Sequence, residues 1–149
     1  MAGTRPEPPM VRVLPEVTAE SMAYWTGGAD GELRVYRCQD CQGWIHPPTP
    51  ACWRCRSRRV EPEVASGRAV VAAYTINHHP WLPGFPPPYI IAIVEMEESR
   101  DVRFTTNIVD CDIEDVHVGM PVEVVFEHRE DVWLPLFRPM AAATKGGAS

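Results

Sequence analysis

The apolar positions of this chain change their spacing near Pro62. Beyond that residue, apolar and polar side chains alternate or form short apolar runs, a pattern typical of β-strands. The pattern predicts five strands, at residues 67–77, 89–96, 102–109, 121–129 and 132–139. Residues 110–120 form a longer and more polar connection before the fourth strand, and we expect a helical turn there. Five strands in this arrangement favour a small Greek-key barrel of the OB type.

The part of the chain before Pro62 has a different pattern. Prolines break residues 1–17, which we expect to be extended or disordered at their start. Residues 18–33 predict a short helix that begins after Thr18 and ends at the following glycine pair. We therefore expect a mainly β protein in four parts. These are an N-terminal arm with a short helix at 1–33, a cysteine module at 34–60, the barrel at 61–140 and a disordered tail at 141–149.

Four of the five cysteines lie close together, with the spacing Cys-x2-Cys-x10-Cys-x2-Cys. Each Cys-x-x-Cys turn directs two sulfurs and several backbone N–H groups toward one point, so two turns complete a tetrahedral shell. Because four thiolates leave no open coordination position, the spacing predicts a structural zinc ribbon rather than a catalytic metal. The predicted ligands are Cys38, Cys41, Cys52 and Cys55.

Other cysteine chemistries fit this sequence less well. A thioredoxin-like redox couple needs one Cys-x-x-Cys at the start of a helix that follows a strand, and here two pairs occur without that context. Paired disulfides are typical of small secreted domains, whereas the N-terminal sequence has no apolar stretch of the kind found in a signal peptide. Iron in a rubredoxin-like site remains the alternative to zinc.

Charge is distributed unevenly along the chain, whose formal net charge is −6. Residues 34–60 contain six arginines and one acid, a balance of +5, whereas residues 61–140 contain five arginines and fourteen acids, a balance of −9. An acidic barrel disfavours nucleic acid as the main partner, because neutralising phosphates requires clustered Lys and Arg. No apolar run approaches the length of a membrane span. We therefore expect a cytoplasmic protein.

The reactive side chains do not form a catalytic set in the sequence. Cys111 lies between Asp110 and Asp112, whose charges oppose formation of a thiolate. The five histidines show neither a metal-binding spacing nor a paired serine or cysteine nucleophile. We expect no enzymatic activity from this chain by itself.

The connection between the first two predicted strands is rich in proline and aromatic residues. Residues 78–89 contain five prolines and three aromatic residues, which is too long for a tight hairpin and too apolar for simple exposure to solvent. Prolines reduce the entropy that a loop loses on docking, and this connection often lies at the binding face of an OB barrel. The loop predicts a protein interface, with packing onto its own barrel as the alternative. The interface candidates are His78, Trp81, Phe85 and Tyr89.

The combined pattern resembles a known family, domain of unknown function thirty-five, whose members join a rubredoxin-like zinc ribbon to an OB barrel. The resemblance runs from about Trp25 to about Pro139. It is carried by "GEL" before "YRCQDC", then by "HPPTPACWRC", "ASGRAVVAAYTIN", "PPYIIAIVEM" and "VGMPVEVVF". Three features depart from the family pattern: Gln42 stands where glycine is expected, Trp53 where proline is usual, and "EESR" where a turn normally contains glycine.

The resemblance implies an accessory subunit whose partner carries the chemistry. Relatives accompany thiolase-like enzymes, including sterol-carrier-type thiolases and retro-aldol lyases of steroid side-chain breakdown, or enoyl-CoA hydratases. A chain without a fused hydratase resembles the thiolase or aldolase companion more closely. In such a hetero-oligomer the ribbon–barrel protein stabilises its partner and helps to shape the acyl-CoA site.

Two questions about ligands remain open in the sequence. The arginine cluster of the ribbon could bind the phosphates of coenzyme A, or it could simply keep a small module solvated. The cluster consists of Arg54, Arg56, Arg58 and Arg59. A module that binds single-stranded nucleic acid is the rival function, since zinc ribbons and OB folds both occur in that class.

Overall fold

The computed structural model describes residues 12–141 of the chain. Most of the predicted extended start and of the predicted disordered tail lies outside these residues. A short helix, α1, spans Met22–Thr26 and continues as a 3-10 helix over Gly27–Asp30. Eight strands follow: β1 Leu33–Cys38, β2 Trp44–Ile45, β3 Val60–Ala65, β4 Arg68–Asn77, β5 Tyr89–Met96, β6 Ser99–Ile108, β7 Pro121–Arg129 and β8 Val132–Pro139.

The cysteine module is built on a three-stranded antiparallel sheet in the order β2-β1-β3. Strand β1 is central, and its side chains Leu33 and Val35 are buried. It pairs with β3 along its whole length, from Leu33 opposite Ala65 to Cys38 opposite Val60. Residues 61–65 therefore extend the sheet of the ribbon. The division of the chain into separate folding units at residues 34 and 61 stays a prediction.

The five predicted strands form a closed barrel in the order β4-β5-β6-β8-β7, which confirms the OB-type fold class. Strand β6 begins three residues earlier than predicted, because Glu97 and Glu98 alone form the turn after β5. The connection 109–120 contains turns where we expected a helical turn. In this segment the N–H of Gly119 donates to the carbonyl of Val71 at 2.7 Å, so the connection is held to β4 by backbone bonds instead.

The barrel closes between β6 and β8 with a single parallel pair, Ile108 opposite Phe137. The N–H of Val109 donates to the carbonyl of Phe137 at 2.8 Å, and the buried hydroxyl of Thr106 donates to the carbonyl of Pro135 at 3.0 Å. Inside, apolar side chains at alternating strand positions fill the barrel, as the period of a strand requires. The fully buried rings of Phe104 and Phe137 stack with 6.1 Å between ring centres.

The N-terminal helix joins the ribbon to the barrel. Its predicted cap, Thr18, lies in the preceding turn, where its N–H and hydroxyl exchange hydrogen bonds with Ser21 at 3.0 and 3.3 Å. Tyr24 of α1 is buried, and its ring lies 6.2 Å from the ring of Phe104 in the barrel. The α-helix ends at the glycine pair as predicted, with Gly27 as its C-cap, and the backbone continues from there as a 3-10 helix. This path brings Gly28 against the β7–β8 hairpin.

Candidate functional site

The first half of the cysteine site lies at the end of β1. The N–H of Gln42 donates to the carbonyl of Cys38 at 3.0 Å, which closes the turn. The N–H of Cys41 points at the sulfur of Cys38, 3.5 Å away. Gln42 has a φ of 63°, the left-handed region that favours glycine. This explains why glycine is expected here, and the side chain of Gln42 compensates in part by donating to the carbonyl of Gln39 at 2.9 Å.

The second half repeats this geometry. The N–H of Arg56 donates to the carbonyl of Cys52 at 2.8 Å, and Arg56 has a φ of 61°. The N–H of Arg54 lies 3.4 Å from the sulfur of Cys52. Two turns of the same shape thus face each other, each with a left-handed residue after its second cysteine and backbone N–H groups directed at a sulfur.

The four sulfurs meet at one point, as the spacing predicted. All four lie within 4.8 Å of one another, with Cys38 and Cys55 separated by 3.5 Å and Cys41 and Cys52 by 3.6 Å. A tetrahedral zinc ion with bonds of about 2.3 Å requires sulfurs about 3.8 Å apart, so the arrangement fits the ion. Hydrogen bonds from backbone N–H groups, that of Cys41 foremost, lower the pKa of the Cys38 thiol and so favour its thiolate, whereas the neighbouring sulfurs raise the pKa of Cys55.

Cys111 lies outside this cluster. Its thiol donates to the carbonyl of Asp112 at 3.3 Å, and it packs at the edge of the core. Burial raises the pKa of the thiol, and the charges of Asp115 and Asp112 raise it further. A thiol in this environment is a poor nucleophile.

The four arginines of the ribbon cluster differ in whether an acidic side chain pairs with them. Arg54 forms an ion pair with Asp101 of β6 and lies 4.8 Å over the ring of Trp53. Arg59 pairs with Asp40 at 2.6 Å. The other two cluster members, at positions 56 and 58, are exposed, and among the described residues they form no ion pair. A role of the cluster in binding coenzyme A phosphates stays a prediction.

The proline-aromatic loop divides into a packed part and an open part. Phe85 is half-buried against Tyr89, with 4.3 Å between ring centres in an edge-on contact. Trp81 is 68% exposed, and its indole N–H donates to Asn77 at 2.8 Å, which fixes the ring in an outward position. His78 is also exposed. Phe85 and Tyr89 therefore pack on the protein itself. A protein interface at the open part of the loop, which includes His78 and Trp81, stays a prediction.

The structure also brings together residues that the sequence did not single out. The ring of His46, just after β2, lies 4.9 Å from the ring of Tyr24 and 4.6 Å from that of Phe104. Burial lowers the pKa of His46 to about 4. In the sequence this histidine is distinguished only by its place between the two cysteine pairs, and the rings it contacts belong to α1 and β6. Within residues 12–141, no helix is long and apolar enough to cross a membrane.

Both parts of the chain match models of one protein family. Residues 25–61 match the model described as the ChsH2 rubredoxin-like zinc ribbon domain, and residues 63–127 match the ChsH2 C-terminal OB-fold domain. The match to a zinc ribbon, together with the geometry of the sulfurs, confirms zinc as the structural metal of this chain. The two matched ranges meet at Pro62, where the hydrophobic pattern also changes.

Curated relatives carry names of two kinds. A DUF35 domain-containing scaffold protein of Methanocaldococcus jannaschii is 40% identical over 98 residues, which cover 64% of this chain and 68% of that protein. The 3-oxo-4,17-pregnadiene-20-carboxyl-CoA hydratase alpha subunit of Mycobacterium tuberculosis is 34% identical over 118 residues. These cover 79% of this chain, which spans only 37% of the length of that subunit.

A solved structure provides the corresponding match in three dimensions. A chain of the Ltp2-ChsH2(DUF35) aldolase superposes with a TM-score of 0.76 and 31% sequence identity. The superposition covers 85% of this chain and 98% of that chain, so ribbon and barrel are both included. With the two family models and the scaffold relative, this match shows that the chain belongs to the DUF35 family of ChsH2-type zinc-ribbon and OB-fold proteins.

Proposed function

We propose that this chain is the non-catalytic accessory subunit of a heteromeric acyl-CoA enzyme whose partner is thiolase-like, and that the complex is a retro-aldol carbon–carbon lyase. The observation that carries this proposal is the superposition on nearly the whole of a chain from the Ltp2-ChsH2(DUF35) aldolase. The steroid-CoA name of the mycobacterial relative supports a bulky CoA thioester as the substrate of the complex.

The chemistry of the described residues supports an accessory role. The clustered cysteines fill all four positions of a tetrahedral metal, and the remaining thiol has a raised pKa. A thiolase-like partner would therefore have to supply the nucleophile and the base. This chain would contribute a rigid ribbon–barrel body and the surfaces that hold the partner.

The open part of the loop is the candidate for that contact. Trp81 and Leu82 are 68% and 43% exposed, and exposed tryptophans are frequent hot spots of protein interfaces. The hydrogen bond from Trp81 to Asn77 holds the ring before docking, which reduces the entropy lost on binding. An anchor of this kind would insert into a groove of the partner.

Co-expression with any thiolase-like protein encoded beside this chain tests the proposal. The two proteins should co-elute as one complex, and the complex should cleave a CoA thioester that neither chain cleaves alone. The proposal fails if no such protein co-elutes, or if the isolated chain turns over thioesters by itself.

A matched pair of substitutions tests the loop. Trp81→Ala should weaken the complex at least about ten-fold, as expected for a hot-spot residue that contributes more than about 1.4 kcal/mol. Trp53→Ala removes a ring of the same type that is 64% exposed on the ribbon and should leave the affinity unchanged. The opposite result would place the contact on the ribbon and contradict a loop anchor.

A companion of an enoyl-CoA hydratase is the second candidate, which the name of the mycobacterial relative favours. The two candidates differ in the reaction of the complex. A hydratase complex adds water across a double bond and consumes the enoyl absorbance, whereas a lyase complex releases a shortened CoA thioester and a carbonyl product. Product analysis by mass spectrometry distinguishes them.

A further inference from the structure

A cavity of about 590 Å³ lies on one side of the barrel, away from the zinc site. Residues 12–15, which we call the strap, form one wall. Helix α1, the proline-aromatic loop and the outer side of the barrel form the others. The volume lies within the range of small-molecule sites, about 300–1,000 Å³. Most of the lining is apolar or aromatic, including Leu14, Trp25, Phe85, Tyr89, Ile91 and Leu134.

One charged side chain, Arg12, lines this cavity among the described residues. Its Nε donates to Glu127 at 2.8 Å, and its Nη1 donates to the side chain of Asn107 at 3.0 Å. The guanidinium also lies 5.0 Å from the centre of the Phe85 ring. These contacts hold the cationic group at the boundary between the apolar walls and the polar end of the cavity.

Behind Arg12, outside the residues that line the cavity, the carboxylate of Glu127 is shared by two arginines. Arg129 also donates to the same oxygen of Glu127, at 2.8 Å, so two guanidinium groups share one carboxylate. Burial raises the pKa of Glu127, but the hydrogen bonds and charges of the two arginines outweigh burial and keep the carboxyl ionised. The local balance is therefore two positive charges against one negative charge beside an apolar surface.

The strap covers this site with few bonds of its own. Among the described residues, positions 12–15 make no backbone–backbone hydrogen bond, and Val13 is 86% exposed. The Arg12 side chain is thus the main polar attachment of the strap. A molecule that entered the cavity could move the strap aside without breaking a strand ladder.

We propose that this cavity binds an amphipathic monoanion, a molecule with an apolar body of small-molecule size and one anionic group. The body lies against Trp25, Ile91 and Leu134, and the anion is placed by Arg12, whose carboxylate partner Glu127 is shared with Arg129 behind the cavity lining. Apolar walls without charge would accept a neutral ligand equally well, whereas a guanidinium that shares its one carboxylate partner keeps positive charge that favours an anionic ligand. This site does not depend on the proposed function, and it would exist in the isolated chain.

Two fluorescent probes with the same rings test the proposal on the purified full chain with its metal. Anilinonaphthalene sulfonate carries one negative charge, and N-phenylnaphthylamine lacks the sulfonate and is neutral. We expect saturable binding of the sulfonate at one site per chain, tighter than binding of the neutral probe. Equal affinities for the two probes, or no saturable site, would overturn the proposal.

Substitutions separate the charge from the cavity. Arg129→Gln removes the excess charge but keeps the Arg12–Glu127 pair, so it should weaken sulfonate binding about two- to five-fold, in the range of a partly exposed ion pair, with the neutral probe unaffected. Arg138→Gln is the control, since Arg138 is an exposed arginine of the same hairpin that pairs with Glu123 at 3.0 Å. Thr105→Trp, which places a large ring in the lining, should reduce binding of both probes.

Three results would contradict the site. The first is that Arg129→Gln and Arg138→Gln weaken sulfonate binding equally. The second is that Arg129→Gln abolishes binding of both probes, and the third is that Thr105→Trp binds both probes as the parent chain does. Thermal melting of each variant confirms that the chain is folded, so that a change in fluorescence reports the site rather than exposed core.

Discussion

At the scale of single residues, the protein tolerates two local conflicts because the surroundings compensate for them. Gln42 occupies a left-handed position that favours glycine, and the closed turn of the zinc knuckle keeps it there. His46 is a polar ring in an aromatic environment, where it stays neutral because burial lowers its pKa to about 4. Its neutrality lets the ribbon pack on the barrel through Tyr24 and Phe104.

This environment predicts how stability depends on pH. The pKa of His46 is about 4 in the folded chain against an ordinary value of 6.5, so between these values the unfolded chain binds a proton that the folded chain does not. The contribution of His46 to the free energy of unfolding should therefore be at its full value above pH 6.5 and decrease as the pH drops toward 4. The loss should reach about 2–3 kcal/mol, since one pKa unit corresponds to about 1.4 kcal/mol.

Urea unfolding at several pH values measures this effect. His46→Phe keeps an aromatic ring but cannot titrate, so its stability should fall less than that of the parent chain between pH 6.5 and 4.5. Both proteins lose zinc in acid, so this effect cancels when their free energies of unfolding are compared. His128→Gln, which changes an exposed histidine, should behave like the parent. Parallel curves for His46→Phe and the parent would show that His46 does not carry the pH dependence.

At the scale of elements, the arm depends on a close contact with the last hairpin. A Cβ on Gly28 would lie 2.4 Å from the Cβ of Trp133 and 2.6 Å from the ring of Phe126. Gly28→Ala should therefore push the 3-10 helix away from β7–β8 and lower the free energy of unfolding by about 1–3 kcal/mol, as overpacking does. Thermal or urea unfolding measures the change.

The neighbouring residue provides the control for this contact. Ala29→Ser also adds one heavy atom, but Ala29 is exposed, so its effect should stay within about 0.5 kcal/mol. Equal stabilities of Gly28→Ala and the parent would mean that the arm can shift without loss of packing.

The sequence predicted the elements with a strong local pattern and missed those that depend on a partner. Strands β5, β7 and β8 begin and end where the alternation of apolar residues placed them. The flanks of the cysteine module, residues 32–38 and 56–64, alternate in a way that suits a small hairpin, and they contain the paired strands β1 and β3. The two-residue strand β2 was not predicted, because only its pairing with β1 makes it a strand. The cysteine cluster followed from spacing alone. The cavity and the His46 contacts did not, since their residues come from distant parts of the chain.

At the scale of the whole molecule, the ribbon and the barrel are joined by a small number of specific contacts. Arg54 of the ribbon pairs with Asp101 of the barrel, and His46 packs against Phe104. The ribbon sheet has only three strands, one of which has two residues, so the metal must contribute much of its stability. The buried residues of the barrel are continuous with those of the ribbon and α1, but the barrel strands contribute none of the four clustered cysteines.

This division predicts an unequal response to loss of the metal. Chelation of zinc, or Cys38→Ser, should abolish amide protection in residues 33–65, because the knuckles and the register of β1 depend on the thiolate cluster. Residues 68–139 should stay protected, with lower stability because the contacts to the ribbon are lost. Hydrogen exchange read by mass spectrometry measures both regions in one experiment. Cys111→Ser makes the same chemical change outside the cluster and should retain zinc and full protection. Collapse of protection in both regions after chelation would mean that ribbon and barrel form one cooperative unit in which the metal also maintains the barrel.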